Sequence, residues 1–593
     1  MRGVVGSLCV FVACFPLCWA VGPLSDELEF FSRWGVSARH LGTKEQMDRV
    51  RRQRQQKHIG ANTVDSSLKS EHRGRELLRY GSVGSRQYRL TEYGGDPSGL
   101  QDSSDAVEKL LHDLVSGSQE NPQWMIDNIT DLQGAVISLD GGQFLLSRPL
   151  SIPRWTGNVF VENGKLLASP DFPTDRYVVE VGVDAHPLLG NATCDDTTFT
   201  QCAMNVAIQN IVVDGRNRAR GCVRMQQTTG AVLGPSALFL HFAGVGLDVH
   251  WGHEVILTGA WVGQYLFTEE GKKTSQTGIG VRIHGNDHVM DNVIVFSAKL
   301  GVLVRGAANL LRNVHNWNGS SHGYVLSGSG NRLLDSYPDF NSVVIAGGDA
   351  CLVRSNFFLG GARLFLKTQE GAEDVPVIPG ESVSPSLRVD AHGKGKRGTL
   401  DRGLKGFVVD GNVFNGCGGK SAIIVDEAEG RFTSLTDSLV DSNSFSDCKA
   451  KATRVRLSAE IGKEKPEKTS KMSLSEALLF PSLPPKSLVL FHTFMPFADD
   501  TTDAEEAEFV RTQVRVSREG FLSHPLRFQA EAPVSGILSV SVDQAVTTAG
   551  LSVKVTPATS TTASSSLYPE SVPPQTSTEL DRNEGDSQTV LFS

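Results

Sequence analysis

The stretch GVRIHGNDHVMDNVIVFSAKLGVLVRGAANLLRNVHN, residues 280–316, is nearly a sentence written twice. Gly280-Val-Arg-Ile returns as Gly301-Val-Leu-Val and again as Gly323-Tyr-Val-Leu. Asn292 returns as Asn313, Asp335 and Asn356, at steps of 21, 22 and 21 residues. Neither a helix nor a meander of hairpins produces that spacing. A unit of this size holds three short strands and three turns, which is one coil of a parallel β-helix. One coil cannot bury its inner face alone, so coils stack, and equivalent positions then lie about 4.8 Å apart along the axis. The Asn292, Asn313, Asp335, Asn356 column falls at a turn, where stacked amides satisfy backbone groups, and is read as structural.

Working outward, the rungs fill residues 205–448 and the helix as a whole spans 88–450, an all-β fold. Asp102 and Asp105 have the spacing of a capping box, predicting a helix through Leu114 that closes one end of the stack. Two insertions interrupt the rungs, Gln264 to Thr277 and a Gly/Pro/Ser-rich loop from Lys367 to Leu404. Loops inserted into a solenoid project from one face and often flank the site. Residues 451–485 read as a linker, 486–555 as a small β-module, and 556–593 as a disordered Ser/Thr/Pro-rich tail.

The first twenty residues combine Arg2, an apolar run to Trp19 and a small-x-small site ending at Ala20, the pattern of a signal peptide. No later stretch is apolar for long enough to span a membrane. A charged segment, 21–87, with a basic run from Arg49 to Lys57, reads as a solvated pro-segment. The expected product is secreted, extracellular or in a cell wall. Beyond the leader six cysteines remain, an even number that points to disulfides, with Cys194–Cys202 and Cys417–Cys448 as the expected pairs. Asn128, Asn191 and Asn318 head glycosylation sequons. The net charge of −9 argues against nucleic acid as a partner.

The start TEYGGDPSGLQDSSDAVEKLL with Gly141-Gly142 resembles that of pectin-lyase-fold proteins. With SPDFPTDRYVVEV, Gly252-His253-Glu254, Gly285-Asn286-Asp287, FSAKLGVLV and Ser336-Tyr337-Pro-Asp339 the chain resembles the QUARTET-type plant polygalacturonases. The resemblance implies a right-handed parallel β-helix that hydrolyses homogalacturonan in pectin, with an acidic polysaccharide as partner. No aspartate cluster stands at ligand spacing on one column, so no metal or cofactor is expected, and the chain is expected to act as a monomer. The resemblance has one departure. Ala298-Lys299 stands where polygalacturonases carry Asp-Asp, while Ser321-His322-Gly323 keeps the histidine of their Gly-His-Gly.

Inverting hydrolysis needs a general acid and a general base about 6.5–9.5 Å apart, which stacked rungs can supply. Alternation turns Leu247 and Val249 inward and Asp248 and His250 outward. The next rungs present Arg282 with His284, then Leu303 with Arg305. A cationic stripe of this kind suits a polyuronate, since guanidinium groups grip carboxylates two-handed. The catalytic candidates are Asp248 with a loop glutamate (Glu269 or Glu270), or Asp339 assisted by His322. The substrate-binding candidates are Arg282, His284, Lys299, Arg305, His253 and Glu254. Two other readings stay open, a non-catalytic uronan-binding β-helix and a pectate lyase.

Overall fold

The computed structural model describes residues 86–119, 123–126, 128–189, 201–265, 276–378, 401–474, 476–480, 483, 489–497, 512–516 and 526–544. The leader, most of the charged segment, Cys194, the Asn191 sequon, Glu269, Glu270 and the C-terminal tail lie outside the described residues. Strands stack in parallel from Gln87–Arg89 to Leu439–Asp441, as a parallel β-helix with three faces. The first sheet runs from Leu150–Ile152 through Val245–His253, Ile279–Asn286 and Leu300–Arg305 to Ile423–Asp426. The second contains Ile256–Thr258, Arg332–Leu334 and Val408–Asp410. The third contains Ala260–Gly263, Tyr337–Asp339 and Val413–Asn415. Long strands such as Val289–Phe296 and Leu310–Trp317 serve the second sheet with their first half and the third with their second.

The bend inside those strands explains the asparagine repeat. Asn163, Asn210, Ser236, Gly259, Asn292, Asn313, Asp335, Ser355, Gly411 and Ser442 occupy one corner position and all have φ between 48° and 67°. Only residues that tolerate the left-handed region can turn so tightly, which favours Gly, Asn and Asp. Asn313 Nδ2 also donates to Asn292 Oδ1 at 3.1 Å. The fourth member of the expected column is corrected. Ser355 takes the corner, and Asn356 sits one residue further on, inside the coil. There its Oδ1 accepts from the Ser336 N–H, and its own N–H and Nδ2 donate to Asn412 Oδ1. Asn412 repeats the contact with Asn443. Two asparagine repeats with different physical causes therefore run side by side.

The recurring glycines have a third cause. A Cβ on Gly301 would meet the Asn316 amide and the Gly323 carbonyl, and one on Gly280 would lie 2.7 Å from the Gly301 carbonyl. At these rungs the corner between third and first sheets leaves no room for a side chain, whereas further along Ser342 and Arg363 occupy the same position.

Inward-facing Val249, Ile283, Val304 and Leu326 continue one apolar core along the axis. Helix α1, Ser104–Gln119, covers its N-terminal end with Leu110, Leu111, Leu114 and Val115. It runs past the expected end at Leu114, and only half of the expected capping box forms. Asp102 Oδ1 accepts from the Ser104 N–H at 3.1 Å, whereas Asp105 pairs with Arg148 instead.

At the other end the expected linker is corrected. Residues 451–485 include Arg454–Ile461 and Glu467–Met472, strands of a two-sheet antiparallel module completed by Val489–Pro496, Thr512–Val516, Leu526–Val534 and Gly536–Asp543. Leu526, Phe528, Leu538, Val540 and Val542 share its core. Of the charges that made this segment read as a linker, Arg454, Arg456 and Glu460 are the exposed members of an alternating strand, and Lys463, Glu464 and Lys465 form the turn that follows it. Cys417 and Cys448 form a disulfide as expected, Cys202 is disulfide-bonded, and Cys222 and Cys351 are free and buried. Among the described residues no helix is long and apolar enough to cross a membrane.

Candidate active site

Register places the candidates on the outer face of the first sheet as alternation requires. Asp248 stacks on Arg282 and Arg282 on Leu303; His250 stacks on His284 and His284 on Arg305. Facing outward here does not mean facing water. Asp248 is 1 % exposed and Arg282 is 6 % exposed. Arg282 Nε and Nη2 donate to the two Asp248 oxygens at 2.8 and 2.7 Å, and the Tyr177 hydroxyl donates to Oδ2 at 2.9 Å. Burial alone would raise the Asp248 pKa; the Arg282 charge and its hydrogen bonds outweigh it and hold the carboxyl far below the usual range. A carboxylate so held neither gives nor takes a proton near neutral pH. Its position is that of a structural ion pair, part of a column Glu180, Arg224, Asp248, Arg282 that alternates in sign. His284 is also enclosed, and burial followed by the Arg282 charge pushes its pKa down to about 3. Its ring is neutral at physiological pH, so at this rung the charge of the expected stripe rests on Arg282 alone, which is paired with Asp248.

Further along, the same face is covered by residues 368–378, the described start of the second insertion. Val375 and Ile378 pack on Val245, Ile279, Leu300, Leu303, Val325 and Val344. The strap also brings carboxylates. Glu370 accepts from Arg305 Nε at 3.2 Å and Nη2 at 2.5 Å. Asp374, fully buried, lies 3.3 Å from His322 Nε2 and 2.8 Å from Lys367 Nζ. Lys367 also meets Glu373 at 2.8 Å and Asp426 at 3.3 Å. Burial would raise the Asp374 pKa, but His322 and Lys367 outweigh it and keep the carboxylate ionised. Burial would likewise lower that of Lys367, and its carboxylate partners raise it instead.

The remaining candidates are dispersed. Lys299 is exposed at the corner where the third sheet passes into the first. His253, 3.6 Å from Asp287, and exposed Glu254 lie at the opposite edge of the first sheet. Asp339 is on the outer face of the third sheet, 3.7 Å from His315 Nε2. The structure thus gathers His322 and Arg305 with residues the sequence reading did not single out, Glu370, Asp374, Lys367 and Asp426. Lys367 was legible, since it continues the outward column of His284 and Arg305. The acidic triplet Glu370, Glu373, Asp374 was legible only as a charge complement to that column.

This arrangement can bind carboxylates and can hold an ionised carboxylate against an imidazole. Among the described residues no group of three or more His, Cys, Asp and Glu side chains is disposed to hold a metal ion.

No family model matches the chain. Over 366 residues it is 30 % identical to the Polygalacturonase QRT3 of Arabidopsis thaliana, an alignment covering 60 % of this chain and 73 % of that protein. Among solved structures it is similar to ORF18 of Geobacillus virus E2, with TM-score 0.39 and 13 % identity over 70 % of this chain and 76 % of that one. It is also similar to PfbA, a surface adhesin of Streptococcus pneumoniae, with TM-score 0.36 and 12 % identity over 62 % of this chain and 92 % of that one.

Proposed function

This chain belongs to the family of the Arabidopsis thaliana Polygalacturonase QRT3, and from that premise we propose that it is a polygalacturonase-like glycoside hydrolase of galacturonan in pectin. We place its action outside the cell, by the inverting acid–base route. One observation carries the substrate half of this reading: the outer face of the first sheet holds carboxylates. Arg305 grips Glu370 in a fork, and Lys367 gathers Glu373, Asp374 and Asp426. A uronate chain offers the same group at every sugar. With Glu370 withdrawn and the rest of the strap in place, Arg305 becomes a receptor for a substrate carboxylate.

For the chemistry, His322 is the group that exchanges a proton with water, held at 3.3 Å by the buried, ionised Asp374. Asp426, across Lys367, is the second carboxyl. Asp248 is assigned to structure, because its proton affinity is suppressed by Arg282. Asp339 lies on another face and takes no part in this pair.

A second reading, a uronan-binding protein without hydrolysis, is favoured by Ala298-Lys299 in place of Asp-Asp and by the ionised state of both enclosed carboxylates, Asp248 and Asp374. Incubation with polygalacturonate separates the two. Hydrolysis releases reducing ends without ultraviolet absorbance, a lyase gives an absorbing unsaturated product, and a binding protein retains the polymer uncut.

A further inference from the structure

The outer face of the third sheet carries a continuous file of rings. Trp261 lies 6.1 Å from Phe296, and Phe296 stacks on Trp317 at 5.7 Å. Trp317 adjoins His315 at 6.5 Å, His315 stacks on Tyr337 at 4.7 Å, and Tyr337 meets Phe357 at 5.4 Å. Tyr265 joins from the edge, 5.8 Å from Phe296. These residues come from successive rungs, so the file runs along the helix axis. Its middle is covered, with Phe296 4 % exposed, but its ends are open: Trp261, Tyr265 and Phe357 are 42, 53 and 38 % exposed. So much exposed ring surface on one sheet face calls for a ligand.

We propose that this face is a glycan-binding surface separate from the cationic face of the first sheet, and that its ligand is an uncharged run of a polysaccharide. Taking the ligand to be a glycan rests on the pectin-directed reading above; the surface itself does not. Three features select this occupant. The rings lie on consecutive rungs with neighbouring centroids 4.7 to 6.5 Å apart, of the order of the advance of one pyranose along an extended chain. Sugar C–H faces stack on aromatic rings, while the groups interleaved with them, the His315–Asp339 and His241–Asp214 pairs, can hydrogen-bond hydroxyls. The charge is wrong for a polyanion. In the two outward columns, Lys165 at the far end is the one Lys or Arg among the described residues, against Asp214 and Asp339. A uronate run would meet carboxylates here, whereas a methyl-esterified run meets rings and hydrogen-bonding groups. The file runs alongside the corner that bears Lys299 and leads into the first sheet, so one polymer can cross from esterified to free segments.

The test is binding of the full chain to immobilised highly methyl-esterified pectin and, separately, to de-esterified polygalacturonate, each at low and high salt. The wild type is expected to hold the esterified polymer with little salt dependence. Trp261→Ala with Phe357→Ala should weaken that affinity about tenfold. The same double variant should melt with the wild type and keep its affinity for polygalacturonate. Equal loss on both polymers would merge this face with the cationic one and overturn the proposal. So would failure of the wild type to bind esterified pectin, or a dimer seen by light scattering that the double variant dissociates, since the rings would then serve a second copy of the chain. Absence of reducing ends from polygalacturonate sinks the hydrolase reading and leaves this binding readout standing.

Discussion

Glu370 reaches back 65 residues to close a two-pronged ion pair on Arg305. The protein thereby fills with its own carboxylate a position suited to a uronate. Glu370→Gln should raise the affinity for polygalacturonate about two- to fivefold, the range of a part-exposed pair, while Arg305→Ala lowers it. Calorimetric titration at low and high salt measures both, and the wild-type affinity should fall with salt. Unchanged affinity in both variants would mean that substrate never reaches this rung.

Asp374→Asn and His322→Ala should each reduce release of reducing ends on the order of 10²-fold, the contribution of a positioned proton transfer. Asp339→Asn should leave the rate within a few fold. The reverse pattern would move the chemistry to the third sheet.

Asp248→Ala removes the fork partner of buried Arg282 and should cost about 3–5 kcal/mol of stability. Urea unfolding followed by circular dichroism reads this directly. A variant that unfolds with the wild type yet loses all activity would return Asp248 to the catalytic set.

Acid should destabilise the fold in two stages. His284 has a folded pKa near 3 against an ordinary 6.5, so the unfolded chain binds the extra proton, and stability falls as the pH drops through that window. Asp248, depressed in the fold, adds a second loss below about pH 4, where the unfolded carboxyl protonates. The His284 share of the first stage has a limiting slope of about 1.4 kcal/mol per pH unit, and His288, pushed down by burial to about 4, adds to the same stage. Denaturant midpoints at stepped pH should show His284→Gln flattening the loss between about pH 6.5 and 4 and leaving the lower stage in place.

The two asparagine columns should respond oppositely to substitution. Asn313→Gly at the left-handed corner should be close to neutral, whereas Asn313→Val should cost about 1–2 kcal/mol. Asn412→Ala, which strips a partner from the buried Asn356 N–H, should cost about 1–3 kcal/mol. Melting temperatures of the three variants decide it. Equal effects at both columns would refute the division.

Most of the helix was legible because its cause is local. Repeating glycines mark where rungs touch, and repeating asparagines mark where the backbone turns left-handed. The slip at Asn356 came from two asparagine requirements one residue apart, which spacing alone does not distinguish. Alternation likewise placed Asp248, Arg282 and His284 on the outer face. It could not say what covers that face, since Val375 and Ile378 arrive from a distant insertion. The gap between outward and exposed is why Asp248 read as chemistry and proves to be an ion pair. At the C-terminal end, charge concealed a two-period pattern that only the partner strand Gly536–Asp543 makes plain.

The left-handed corner also limits how this molecule can change. From Asn163 onward each coil turns between the second and third sheets on one residue, with a single extra residue at Gly234-Pro235, whereas the first two coils carry longer turns there, 90–97 and 139–142. Past those first coils the long interruptions fall at the other two corners: 190–200 and 379–400 after strands of the first sheet, and 266–275 before one. One edge of the prism is therefore a closed seam and the other two are open margins. New loops, and with them new ligands, can be grafted along the margins without moving a rung. Two residues inserted after Asn313 should abolish soluble expression, whereas the same two after Asn318 should be carried without loss of melting temperature.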